Sequence, residues 1–223
     1  MILMDYRYVK AFEFNFNFGT LLSVDFSSSS EDSDLINITE EIFNEIRDCI
    51  KVRGIPSLIW FKGITNTINP SKFKLITKMI KAVYPKQKIG IYLNCGIFQD
   101  EDVRNIFYGC DLVAINLNSV NNFQFSKINK CPESINSMDV LEGIIEFSKN
   151  FNGKLGIYTM FLKGINDNIK NVEKLKEFLL EVMPDHYSVS NYTLDGFEPV
   201  SKEFKEDLKE ILENLPFNVI YMF

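Results

Sequence analysis

Phenylalanine recurs at positions 12, 14, 16 and 18 with polar residues between them. A period of two is strand geometry with one aromatic row on a single face. Gly19 interrupts the row, and Leu21–Phe26 reads as a more buried strand. Ser27 to Asp34, SSSSEDSD, has neither a helical period nor an apolar face and reads as a loop. Beyond it the pattern alternates. Thr39 is a cap candidate for a helix whose Ile42, Phe43, Ile46 and Ile50 share a face. Ser57–Phe61 is a short strand. Asn69 and Pro70 open a helix carrying Phe73, Leu75, Ile76, Met79 and Ile80. Strand Ile89–Leu93, a short helix opened by Asp100, and strand Leu112–Leu117 follow. A helix around Val140–Phe147 leads into strand Leu155–Phe161, and Asn171 is the next cap candidate. Strand Tyr187–Tyr192, a helix capped by Ser201 and a terminal strand FNVIYMF complete the chain.

Short strands, mostly apolar on both faces and alternating with amphipathic helices, predict an α/β fold with a mostly parallel, helix-covered sheet. The alternation fits a partial (β/α)6–7 barrel and an open doubly wound sheet equally well. No linker rich in glycine or proline divides the 223 residues. The expected organisation is one domain over 1–223, with 1–19 as an N-terminal strand extension and 20–223 as the α/β body.

Charge and composition narrow the chemistry. A net charge of −6 and a pI near 5.0 argue against a general nucleic-acid surface. His186 is the single histidine, which excludes a zinc site built on paired histidines. Cys49, Cys95, Cys110 and Cys131 form no CxxC pair and read as reduced thiols, so a cytoplasmic setting is expected. The start of the chain has no apolar run followed by a small-residue cleavage site, and no stretch has the length of a membrane span.

In parallel α/β folds ligand groups gather beyond the carboxyl ends of strands. Those positions hold Asp25, the KGITN run Lys62 to Asn66, Asn94 with Cys95 and Gly96, Asn116 with Asn118 and Ser119, Lys163 to Asp167, and Asn191 with Thr193. The set is rich in amides and poor in titratable groups, with no nucleophile beside a base and no carboxylate pair. It describes a neutral small-molecule pocket, or a set of loop residues satisfying their own backbone. Neither GxxxxGK[ST] nor GxGxxG occurs. Trp60 reads as packing and Cys95 as a thiol with no identified base.

The order of these segments resembles the radical S-adenosylmethionine (SAM) superfamily, most nearly the wyosine-synthase-like branch of archaeal and bacterial Fe–S oxidoreductases. DLVAINLNS from Asp111, FQFSKINK from Phe123 as a loop before the next helix, LEGIIEFSKNFNGKLGIYTMFLKGINDN and VMPDHYSV carry the likeness. The resemblance implies a partial barrel, but a degenerate one. The CxxxCxxC motif that holds a [4Fe–4S] cluster after the first core strand is replaced by FSSSSEDSD, without a cysteine. The family's GGEP falls on Gly63, Ile64, Thr65 and Asn66, so its glutamate has become Thr65. Its third-strand T-N-G falls on Asn94, Cys95 and Gly96, and its fourth-strand serine and aspartate on Asn116 and Asn118. The expected site is therefore a strand-end pocket of Gly63, Thr65, Asn94, Asn116, Asn118, Asn166 and Asn191, with no metal ligand and no [4Fe–4S] cluster. The expected role is a non-catalytic ligand- or partner-binding protein, with an intact radical SAM enzyme or another protein as partner. The alternatives are an iron-free enzyme binding SAM or a nucleotide, and a noncanonical [4Fe–4S] radical SAM enzyme acting on RNA or protein.

Overall fold

A computed structural model describes residues 4–8, 20–25, 35–64, 70–129, 135–191 and 198–223. The Phe12–Phe18 row, the serine-rich segment from Phe26, Thr65 to Asn69, Cys131 and Thr193 lie outside them. The strands are β1 (Met4–Tyr8), β2 (Thr20–Asp25), β3 (Leu58–Ile64), β4 (Ile89–Asn94), β5 (Leu112–Asn116), β6 (Lys154–Phe161), β7 (His186–Asn191) and β8 (Asn218–Met222). The helices are α1 (Leu35–Arg53), α2 (Pro70–Val83), α3 (Glu101–Phe107), α4 (Asn122–Asn129), α5 (Ser137–Asn150), α6 (Ile169–Val182) and α7 (Lys202–Leu212), with a 3-10 turn at Cys95–Gln99. Strand order follows chain order, and β2 to β8 are parallel. This is the TIM-like partial-barrel class of α/β fold. β1 is an antiparallel addition beside β2.

The chain divides into two compact units, Met1–Leu93 with Gly109–Val113, and Asn94–Tyr108 with Ala114–Phe223. In the first, Leu22 pairs with Ile59 and Val24 with Phe61, a row of fully buried side chains. The opposite face sets Ser23 beside Trp60 and Trp60 beside Gly90. A Cβ on Gly90 would lie 2.6 Å from the Trp60 ring, so the indole occupies the space a side chain would need. Asp111 Oδ2 accepts from the Ile89 N–H at 2.9 Å and faces Lys81 Nζ at 3.4 Å, tying the amino end of β4 to α2.

In the second unit β6, β7 and β8 pair in continuous parallel register. Phe161 of β6 meets Phe204 of α7 edge-on at 5.2 Å, which marks the helix-covered face. Phe147 of α5 packs edge-on against Phe98 at 5.3 Å and stacks on Tyr108 at 4.8 Å. The seam between α5 and the 3-10 turn is tight. A Cβ on Gly143 would lie 1.9 Å from the Phe98 carbonyl oxygen. The buried Arg104 donates to that same oxygen at 2.7 Å and to Glu146 at 2.6 Å.

Three local expectations change. α1 begins at Leu35, so Thr39 is a fully buried residue inside the helix and not its cap. The apolar period of Leu35, Ile38 and Ile42 already extends back past it. FQFSKIN, residues 123–129, lies within helix α4, not in a loop. Its N-terminal turn is closed by Asn121 Oδ1, which accepts from the Phe123 and Gln124 N–H groups at 3.1 and 3.3 Å. α6 is capped by Asn168, whose side chain accepts from the Asn171 N–H at 3.0 Å, because Asn171 is used elsewhere. Asp100 and Ser201 cap α3 and α7 as their sequences predict.

Gly143→Ala is expected to destabilise the protein by about 1–3 kcal/mol, despite alanine's better helix propensity. The added methyl meets backbone, which cannot swing aside. Urea unfolding measures this, and an unchanged midpoint would refute the seam as described.

Candidate functional site

The carboxyl ends of β5 and β6 are held by amide side chains. Asn166, wholly buried in the loop before α6, uses every polar atom of its side chain. Its Oδ1 accepts from the Leu162 N–H at 2.6 Å, and its Nδ2 donates to the Asn118 carbonyl at 2.8 Å and the Met160 carbonyl at 2.9 Å. Asn118 Oδ1 in turn accepts from the Met160 N–H at 2.8 Å. Thr159 donates from its hydroxyl to the Leu117 carbonyl at 2.6 Å. Asn171 Nδ2 donates to the Asn166 carbonyl at 3.0 Å, and Ser119 Oγ lies 2.7 Å from Asn171 Oδ1 and 2.9 Å from Gln124 Oε1. Two strand ends, a tight loop and two helix starts are thereby cross-braced. The physical cause is the need to pair buried backbone groups where the sheet ladder ends.

The remaining sequence-predicted residues are placed differently. Asn94 caps the 3-10 turn, its Oδ1 accepting from the Gly96 N–H at 3.2 Å. Asn191 shares register with Phe161 on the helix-covered side, and its Oδ1 accepts from the Val200 N–H at 3.1 Å. Gly63 is the penultimate residue of β3 and belongs to the first unit. Thr65 lies outside the described residues. Asn116, the last residue of β5, is the exception to the pattern of satisfied amides: its Oδ1 is buried and has no hydrogen-bond partner among the described residues.

Asn116 has neighbours that the sequence reading passed over. The Leu117 N–H donates to the Tyr158 carbonyl at 2.8 Å, which sets Asn116 level with Tyr158 on β6. Tyr158 is in register with Ser188 of β7, and Ser188 with Ile220 of β8. One step toward the carboxyl ends, Met160 is level with Ser190 and Ser190 with Met222. The Tyr158 hydroxyl bonds Ser190 Oγ. These side chains form a row on the face away from Phe161 and α7. The signal was present in YSVSNY, where serines at 188 and 190 alternate with buried Tyr187 and Val189. The row is neutral. Its hydroxyls and the Asn116 amide oxygen stand among methionine and isoleucine side chains, and no charged side chain belongs to it.

The charged and thiol candidates are placed as follows in the strands and loops. Lys163 forms an ion pair with Glu198, which raises the lysine's pKa and lowers the glutamate's. Lys62 is exposed at the end of β3. His186 opens β7 at its amino end, its pKa lowered chiefly by burial, with Asn218 Nδ2 3.3 Å from Nδ1. Cys95 is wholly buried, 3.5 Å from Asn94 Oδ1. Burial beside Asp111 pushes the Cys110 thiol up to about 12. The described residues contain no group of three or more histidine, cysteine or acidic side chains placed to hold a metal. They also contain no helix long and apolar enough to cross a membrane.

No family model matches the chain. A UPF0026 protein of Helicobacter pylori is 25 % identical over 184 residues, covering 74 % of this chain and 59 % of its own length. A UPF0026 protein of Methanocaldococcus jannaschii is 34 % identical over 97 residues, 44 % of this chain and 30 % of that protein. The chain thus spans less than two-thirds of the length of these relatives. Among solved structures, a radical SAM methyltransferase from Sphaerobacter thermophilus superposes with a TM-score of 0.65 at 12 % identity, over 91 % of this chain and 66 % of that one. A domain of a pyruvate-formate lyase-activating enzyme from Bacteroides vulgatus gives 0.57 at 15 % identity, over 72 % and 98 %. The fold is that of radical SAM enzymes.

Asn166→Ala strands one N–H and two carbonyls in the interior and should cost about 1–3 kcal/mol or more. Asn116→Ala removes an oxygen with no partner and should cost less than about 0.5 kcal/mol. Urea denaturation of both variants checks the contrast, and equal losses would contradict the brace. The Cys110 thiol gives a pH signature. Between the ordinary thiol pKa of about 8.5 and the folded value of about 12, the unfolded chain releases a proton that the folded chain keeps. This thiol's contribution to stability is thus full below the lower value and falls as pH rises through the window. Replacing it with alanine should flatten that part of the stability–pH curve, and Ellman's reagent at pH 8 should reach it only after unfolding.

Proposed function

We propose that this chain is a radical-SAM-like protein that has lost the cluster-ligand set and serves as a non-catalytic ligand- or partner-binding protein. One observation carries the reading: the segment that follows the first core strand, FSSSSEDSD, supplies hydroxyls and carboxylates where three thiolates are required. Iron–sulfur clusters are held by soft thiolate donors, and hard oxygens are poor replacements. Among the described residues the other cysteines do not supply a matching set. Cys49 is on α1, Cys95 is buried after β4, and Cys110 is buried before β5 with its thiol held neutral. The donor chemistry present does not fit a [4Fe–4S] cluster, so no electron-transfer step to SAM is assigned to this chain.

The fold supports the superfamily reading, and the wyosine-synthase-like branch rests on the sequence resemblance. A pocket role draws support from the neutral row of Tyr158, Ser188 and Ser190 beside the unpartnered Asn116 oxygen. That oxygen also favours a second reading, an iron-free protein that binds SAM or another nucleotide through an N–H donor. For the partner-binding form, an intact radical SAM enzyme is the first partner to test. The free thiols of Cys49, Cys95 and Cys110 support a cytoplasmic setting.

Anaerobic reconstitution with iron and sulfide should leave less than about one iron per chain and no SAM-dependent electron paramagnetic resonance signal. About four irons per chain with such a signal would overturn the proposal. Calorimetric titration with SAM separates the two readings: stoichiometric heat that disappears in Asn116→Ala favours the iron-free nucleotide binder.

A further inference from the structure

A concave site lies in the first unit, at the amino-terminal ends of β3 and β4. It is a cleft of about 620 Å³ between the α1–β3 and α2–β4 connections. Its walls are apolar: Ile55 and Pro56 on one side, Val83, Tyr84 and Pro85 on the other. Ile55 is 66 % and Val83 53 % exposed, so two aliphatic side chains face solvent across one depression. Isolated exposed aliphatics need no explanation, but a pair framing a cleft does.

Gln87 separates this cleft from an ordinary surface dip. It lines the cleft, is only 3 % exposed, and its Oε1 has no hydrogen-bond partner among the described residues. The rest of the residue is spoken for. Its Nε2 donates to the Lys88 carbonyl at 3.0 Å, its N–H donates to the Tyr84 carbonyl at 3.0 Å, and its carbonyl accepts from Lys81 Nζ at 2.6 Å. These bonds hold the side chain, leaving an acceptor that a bound donor could satisfy.

Charge selects the occupant. The protein carries a net charge of −6, yet Lys86 and Lys88 are in the cleft lining and no acidic side chain is. A peptide segment meets all three demands together. Its backbone N–H groups can satisfy Gln87 Oε1, an aliphatic or aromatic side chain can fill the space between Ile55 and Val83, and carboxylates can pair with the lysines. We infer that this cleft docks a short acidic segment, carrying one bulky apolar anchor, from a partner protein. The inference stands on its own cavity and does not depend on the cluster-loss reading.

The test is fluorescence anisotropy of a labelled peptide, acetyl-Asp-Glu-Leu-Phe-Glu-Asp-amide, titrated with the full chain at low salt. Binding in the range of about 10–100 µM is expected. Ile55→Asp and Lys86→Glu change exposed positions and should each weaken it about tenfold, with circular dichroism and melting temperature unchanged. Gln87→Met, which removes the acceptor, should weaken it about threefold or more. A peptide with lysine at every acidic position should not bind. The inference is overturned if the acidic peptide fails to bind, if the lysine peptide binds equally well, or if the folded Ile55 and Lys86 variants bind as the parent does.

Discussion

A sheet ladder satisfies backbone groups only while strands run side by side, and the chain must find other partners where they end. At the carboxyl ends of β5 and β6 those partners are amide side chains. Asn166 alone joins three backbone groups, and Asn118 adds a fourth bond between the same two segments. Asn171 and Ser119 extend the brace to the start of α6 and the stretch before α4. Most of the amides that crown the strands are thus engaged with backbone groups, whereas Asn116 Oδ1 has no hydrogen-bond partner among the described residues.

This partition explains what the sequence could and could not disclose. Periodicity located β2 to β7 because each carries buried apolar residues, whereas β8, only half-buried, emerged from FNVIYMF alone. β1 alternates apolar and charged residues over only five positions, too short a run to stand out; its evidence is the register with β2. Caps were legible where one oxygen follows a loop directly, as at Asp100 and Ser201. They were misplaced where several amides compete, as in NDNIKN, because only the tertiary contacts of Asn171 show that Asn168 is left to cap.

The candidate pocket was legible as a list and not as a geometry. Asparagines at strand ends look alike in one dimension. In three, Asn94 closes a turn, Asn191 holds Val200, Asn118 and Asn166 lock a loop, and Asn116 is left with an idle oxygen. Tyr158, Ser188 and Ser190 were hidden inside strands read as core. The cleft around Gln87 left no trace in sequence, since a glutamine between two lysines reads as solvated surface.

The amide brace has a further property. Asparagine, glutamine, serine and threonine side chains exchange no protons across the ordinary range of cellular acidity. A frame of such groups neither loosens when carboxylates become neutral nor answers to ionic strength as paired charges do. The bonds of the frame itself are therefore indifferent to acidity, unlike the Lys163–Glu198 ion pair on the same loop.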